Sequence, residues 1–178
     1  MAIKKSPSKS SSAKWPMSWF VLGTITIIIE FVLKYLAYQY RLNLNLIDIP
    51  SIVSFNIVYV LNRYSAFGMM SSVPDWFNQF MLLVSVIFLI GLTIHQMRSP
   101  DSTVIMRRGI FCFIIGAIGN MVDRLILGGV VDYIDFRIGQ DGSFYALAWN
   151  ISDLVINVGF AHIMMDALKR EDAQKKNN

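Results

Sequence analysis

The acidic residues of this 178-residue chain are unevenly spread. Asp123, Asp132, Asp135, Asp141 and Asp153 are five of its 12 acids, and they fall within 31 positions. Amides and a cation stand among them. Asn120 precedes Asp123 and Arg124 by three and four residues, and Asn150 precedes Asp153 by three. Such spacings put side chains on one face of a helix. Two carboxyls pressed together away from water do not both ionise easily; one keeps a proton and the other serves as a base. Peptide hydrolysis by an activated water requires that division. Asp132 lies in Gly128-Gly129-Val130-Val131-Asp132-Tyr133-Ile134-Asp135-Phe136, where glycines let the chain turn back and apolar neighbours desolvate a carboxylate. If Asp132 and Asp153 meet, they form such a pair. Five acids allow ten pairings, and spacing alone does not choose among them.

Structural roles compete for the same residues. Asp153 opens an apolar helix, where an acid meets the positive end of the helix dipole. Asp123 and Arg124 read as an ion pair at a helix end, with interfacial snorkelling. Other chemistries lack their residues. His95 and His162 both fall near the cytoplasmic ends of their spans, away from the acid cluster, so a Ser-His-Asp arrangement is not expected. No HExxH or Cys/His spacing suggests zinc. The single cysteine, Cys112, sits mid-span and reads as packing, and no glycine-rich phosphate loop is present. Neither metal nor cofactor is called for.

The composition says what must position these residues. The chain is 54% hydrophobic and 16% charged, where a soluble domain carries about 25% charged residues. Its mean hydropathy is +0.49. Four windows supply the roughly 20 apolar residues that cross a bilayer: 18–38, 77–97, 103–122 and 149–168. Of the 16 basic residues, 11 lie in the N-terminal tail, around Arg98, Arg107 and Arg108, or in the C-terminal tail. The positive-inside rule therefore predicts that both termini are cytoplasmic, and the net charge of +4 is a topology signal, with no nucleic-acid partner implied. The first window is too long for a signal-peptide core, lacks a clear cleavage site and contains Glu30 and Lys34. Residues 1–16 read as a disordered basic cytoplasmic tail, 17–168 as the membrane domain and 169–178 as a second cytoplasmic tail.

The intervening segments 39–76 and 123–148 fall outside the membrane. Val53, Phe55, Ile57, Tyr59 and Leu61 alternate with other residues at strand period, and Val130 to Phe136 is strand-like. Gly139-Gln140-Asp141-Gly142 reads as a turn between Phe136-Arg137-Ile138 and Phe144-Tyr145. The expected fold is an all-α polytopic membrane protein: four transmembrane helices with a small β-rich extracytoplasmic segment on the outer membrane surface.

Three blocks carry a resemblance. Gly116-Ala117-Ile118-Gly119-Asn120-Met121-Val122-Asp123-Arg124, Val130-Val131-Asp132-Tyr133-Ile134-Asp135-Phe136 and Trp149-Asn150-Ile151-Ser152-Asp153 resemble, in order, the GxxGNxxDR, VVDxxxF and FNxAD blocks of lipoprotein signal peptidase, the bacterial type II signal peptidase. The resemblance covers about residues 17–168. It implies an intramembrane aspartyl protease of the bacterial inner membrane, active without metal or cofactor near the outer face. Its substrates would be prolipoproteins, cut N-terminal to a diacylglyceryl-modified cysteine; its surroundings are membrane lipid, and a monomer is expected. Asp132 and Asp153 match the family's catalytic pair. Asn120, Asp123, Arg124 and Asn150 match motif residues that support the site and contact substrate. Asn62, in Tyr59-Val60-Leu61-Asn62-Arg63-Tyr64-Ser65-Ala66-Phe67, resembles the asparagine of an RNxGAAF segment.

The chain also departs from the pattern. Glu30 and Lys34 stand where the family's first span has Asp and Lys four apart, a spacing at which a longer acid still pairs. Leu61 replaces Arg, Tyr64-Ser65 replaces Gly-Ala, and Ser152 replaces Ala. These changes bear on substrate preference more than on reaction type. The competing reading is a non-enzymatic membrane module or inactive paralogue; a presenilin-type protease is excluded by the missing GxGD motif and the four spans.

Overall fold

The computed structural model describes residues 15–63, 74, 76–98, 103–139 and 145–177. The elements are α1 (Met17–Tyr40), β1 (Asn43–Ile49), β2 (Val53–Asn62), α2 (Trp76–Arg98), α3 (Val104–Leu127), β3 (Val130–Ile138), β4 (Tyr145–Trp149) and α4 (Ile151–Asn177). All four helices are long and apolar enough to cross a membrane. At 1.5 Å per residue, 24 residues of α1 or α3 span about 36 Å, more than the hydrocarbon thickness of about 30 Å. Among the described residues α2 buries no side chain, as expected of a helix that is apolar all round.

The helix ends differ from expectation in ways that matter. Helix α3 runs on to Leu127 and stops at Gly128, which takes the left-handed conformation (φ 70°) that glycine adopts without strain. Asn120, Asp123 and Arg124 therefore lie in its last turns. Trp149 belongs to β4, so α4 starts at Ile151. Its far end continues as helix through the expected C-terminal tail to Asn177, with Arg170 bonded to Asp166 (2.6 Å) and Lys175 to Glu171 (2.7 Å).

Helices α3 and α4 pack most closely. A Cβ on Gly116 would stand 2.5 Å from the Ser152 carbonyl oxygen. Small residues allow such approach between apolar helices, where van der Waals packing must replace the hydrophobic effect. At the opposite end Asp166 accepts from the Thr103 hydroxyl, which also caps α3 by accepting from the Met106 N–H (3.1 Å).

The four strands form one antiparallel sheet in the order β1-β2-β3-β4. Its register sorts side chains by character. Ile47, Phe55, Phe136 and Leu147 lie in one row across the sheet, and Ile49, Val53 and Ile138 in another. Neighbouring rows on the opposite face hold Asn45, Asn56 and Asp135, then Asp48, Ser54 and Arg137. The sheet is thus amphipathic, and it is larger than the sequence suggests.

A bulge in β2 decides which residues reach the site. Up to Ile57, which pairs with Ile134, the odd-numbered residues of β2 share a face with Ile134 and Phe136. The register then shifts, so that Val60 pairs with Asp132 and Asn62 with Val130. One extra residue re-aims every side chain beyond it. Tyr59 and Leu61 therefore leave the face of Val53, Phe55 and Ile57, where strict alternation puts them. They pack on the buried core of Ala37, Val131 and Tyr133. Asn62 turns to the face of Asp132.

Candidate active site

Asp132 and Asp153 come together at the junction of β3 with the start of α4. Asp132 is 2% exposed. Its Oδ1 accepts from Asn150 Nδ2 (2.8 Å) and its Oδ2 from Asn62 Nδ2 (2.9 Å). Asp153 Oδ1 accepts from Asn120 Nδ2 (2.7 Å), and Oδ2 accepts from the Asn150 N–H (3.2 Å). The Asp153 N–H in turn donates to Asn150 Oδ1 (3.0 Å). This reciprocal exchange is a capping box with Asn150 as N-cap. Asp153 does stabilise the start of its helix, and the same geometry fixes its carboxyl beside Asp132. Asn150, fully buried, touches both acids.

Burial is the main reason that the Asp132 carboxyl is pushed up to about 7, and the charge of Asp153 adds to it. The amides of Asn62 and Asn150 and the Lys34 ammonium act in the opposite sense. A carboxyl near 7 is poised to hold or release a proton at neutral pH.

Lys34 supports both acids without touching either. Its buried ammonium binds Glu30 Oε1 (3.0 Å), Asp123 Oδ2 (2.8 Å), the Gly119 carbonyl oxygen (3.2 Å) and Asn120 Oδ1 (3.1 Å). Holding Oδ1 of Asn120 turns its NH2 towards Asp153. Asp123 Oδ2 also accepts the Val131 N–H (2.9 Å), which anchors the residue before Asp132. The expected ion pair between Asp123 and Arg124 is not among the bridges of the described residues. Adjacent helical residues point apart, so Asp123 turns inward to Lys34 while Arg124 Nη1 donates to Asn78 Oδ1 on α2 (3.0 Å). Glu30 pairs with Lys34 as its spacing suggests.

Other residues of the arrangement escaped the sequence reading. The Tyr133 hydroxyl donates to Glu30 Oε2 (2.6 Å) and accepts the Ile151 N–H (3.1 Å). Glu30 Oε1 accepts the Ser152 N–H (3.3 Å). Two N–H groups at the start of α4 are so satisfied from α1 and β3. Burial and Glu30 push the Tyr133 hydroxyl well above its ordinary range, which keeps it protonated and donating. The only signal in the sequence was one hydroxyl in an apolar strand. Asn78, the partner of Arg124, had no signal at all.

The remaining acids separate. Asp135 lies on the polar face of the sheet, bound by Asn56 Nδ2 (3.0 Å) and Arg137 Nε (2.8 Å). Asp141, the turn beyond Gly139 and the segment Tyr64-Ser65-Ala66-Phe67 fall outside the described residues. Beside the pair opens a cavity of about 530 Å³, lined by Asn62, Arg124, Asp132 and Asp153 with apolar side chains such as Met81 and Leu147.

Four membrane-length helices, an amphipathic sheet and a carboxyl pair bracketed by amides define a polytopic membrane protein with a paired-acid site. The model of the signal peptidase (SPase) II family matches residues 22–169, and the chain belongs to that family. It is 32% identical over 143 residues to the lipoprotein signal peptidase of Clostridioides difficile (strain 630), covering 78% of this chain and 89% of the relative. The Vibrio parahaemolyticus lipoprotein signal peptidase is 29% identical over 178 residues, covering 98% and 99%. A bacterial membrane enzyme structure solved by the in meso method superposes with a TM-score of 0.69 at 25% identity, covering 90% of this chain and 93% of that one. The protein is accordingly a protease of a lipoprotein-processing family and a multi-pass protein of the bacterial inner membrane.

Proposed function

We propose that this chain removes signal peptides from prolipoproteins by aspartyl-type hydrolysis of the bond N-terminal to a diacylglyceryl-modified cysteine. The observation that carries the reading is the bridging of Asp132 and Asp153 by Asn150 (2.8 Å to one carboxyl, 3.0 Å from the other residue's N–H). The pair shares one proton near neutral pH, and a water lies between the carboxyls. The ionised carboxyl takes a proton from this water as its oxygen attacks the carbonyl carbon before the cysteine. The protonated carboxyl donates to the developing oxyanion. The tetrahedral intermediate collapses, the C–N bond breaks, and the cysteine's amine leaves with the proton held by the base.

Asn62, Asn120 and Asn150 hold the carboxyls, Lys34, held by Glu30 and Asp123, orients the Asn120 amide, and Arg124 borders the substrate. The basic tails lie in the cytoplasm, and the sheet rests on the outer membrane surface with its apolar face towards lipid. Asp132 shares that face with Ile134 and Phe136, so the site opens towards the bilayer. A substrate enters laterally while its acyl chains stay in lipid, and one copy of the chain suffices.

The test is cleavage of a diacylglyceryl-modified prolipoprotein by purified protein in detergent or lipid, read as a gel shift. Wild type should cleave, whereas folded Asp132→Asn and Asp153→Asn should lose at least a thousandfold in rate, roughly the order seen when a unit of catalytic machinery is broken. Normal cleavage by either variant would sink the reading.

A further inference from the structure

Asn157 lies one helical turn beyond Asp153 on α4 and lines the same cavity. Its side chain is exposed, in a helix long and apolar enough to cross a membrane. The amide donates to the Asp153 carbonyl oxygen of its own helix (2.9 Å), and among the described residues that is its only side-chain hydrogen bond. Oδ1 and the second N–H remain available to the cavity. A polar group facing hydrocarbon without a partner is costly, and polar residues within spans mark functional positions by default. Here the polar end faces the space beside the carboxyl pair.

We propose that Asn157 is a specificity-determining residue that hydrogen-bonds a hydroxyl-bearing side chain of the signal peptide. The inference rests on the proposed function and adds to it a preference for substrate. Four helical residues rise about 6 Å. An extended peptide covers about 3.3 Å per residue. If the scissile carbonyl sits at Asp132 and Asp153, a signal peptide running into the membrane alongside α4 brings its second or third residue before the cysteine level with Asn157. A threonine hydroxyl there reaches an amide that a valine of the same shape leaves unpaired. The resulting discrimination is that of one neutral hydrogen bond, about fivefold in kcat/KM.

The experiment compares diacylglyceryl-modified prolipoproteins that carry Thr or Val at the second, and separately the third, residue before the cysteine. Wild type should favour Thr about fivefold at one of the two positions. Asn157→Val should bring that ratio to about one by slowing the Thr substrate alone, its cleavage of the Val substrate serving as the check on folding. Asn157→Thr, which keeps a hydrogen-bonding group, should retain part of the preference. Wild-type cleavage without preference at either position, or a preference unchanged in both variants, overturns the role of Asn157 and leaves the proposed function standing. No cleavage of any substrate by wild type overturns the proposed function, and this inference with it.

Discussion

Asn62 donates to Asp132 Oδ2 at 2.9 Å, and it reaches that oxygen because β2 bulges between Ile57 and Val60. The bond favours the ionised carboxyl and holds down a group that burial has pushed up to about 7. Activity that needs one proton on the pair should fall as pH rises through about 7. In Asn62→Leu the carboxylate loses a donor, Asp132 holds its proton to higher pH, and the alkaline limb of kcat/KM should move upward. The measurement is a pH profile of both forms. A limb that stays put, or moves to lower pH, contradicts the hydrogen bond's assigned effect.

Lys34 stands between Glu30 and Asp123, all three at most 5% exposed. Removing one partner of a buried ionic cluster leaves charge uncompensated and costs about 3–5 kcal/mol. Lys34→Met should lower stability by that order in detergent, and activity with it. Lys34→Met combined with Asp123→Asn removes one of the stranded charges and should recover part of the loss. A thermal-unfolding series of the single and double variants reads this directly; simple additivity would count against the cluster.

Tyr133 ties Glu30 to the Ile151 N–H, two residues before Asp153. Tyr133→Phe removes the hydroxyl and leaves a buried N–H without its acceptor, a cost of about 1–3 kcal/mol. Displacement of the first turn of α4 should lower kcat by about tenfold or more, with KM within twofold of wild type. Tyr59→Phe, in the same core, keeps the ring that lies under the Arg41 guanidinium (4.4 Å) and edge-on to Tyr38; it is the control and should leave both constants unchanged. Equal effects of the two substitutions would reduce Tyr133 to packing.

Much of this protein was legible as sequence because the signals are local. Four apolar runs of membrane length become four helices, since a backbone in lipid must bond within its own segment. The glycine-turned strand at Val130 and the alternation from Val53 become β3 and β2 for the same kind of reason, periodicity within a few residues. Glu30 and Lys34, four apart in an apolar helix, pair as their spacing requires. Strand β1 was missed because Leu46-Ile47 breaks its alternation at the register shift between Asn45 and Ile47. A bulge erases the period by which a strand is recognised.

What the sequence alone determined was the membrane frame, the candidate acids and, through three ordered motifs, the family. Which two acids meet was decided only in three dimensions, by the antiparallel return of β3 and by Asn150 reaching both carboxyls. So was the aim of Asn62, because one inserted residue in β2 reverses the faces of all that follow. So was the partner of Asp123, which is Lys34, 89 positions away, and not its neighbour Arg124. Helix and strand identity depend on neighbours along the chain. The protonation and orientation of a buried group depend on neighbours in space, and those exist only once the chain has folded.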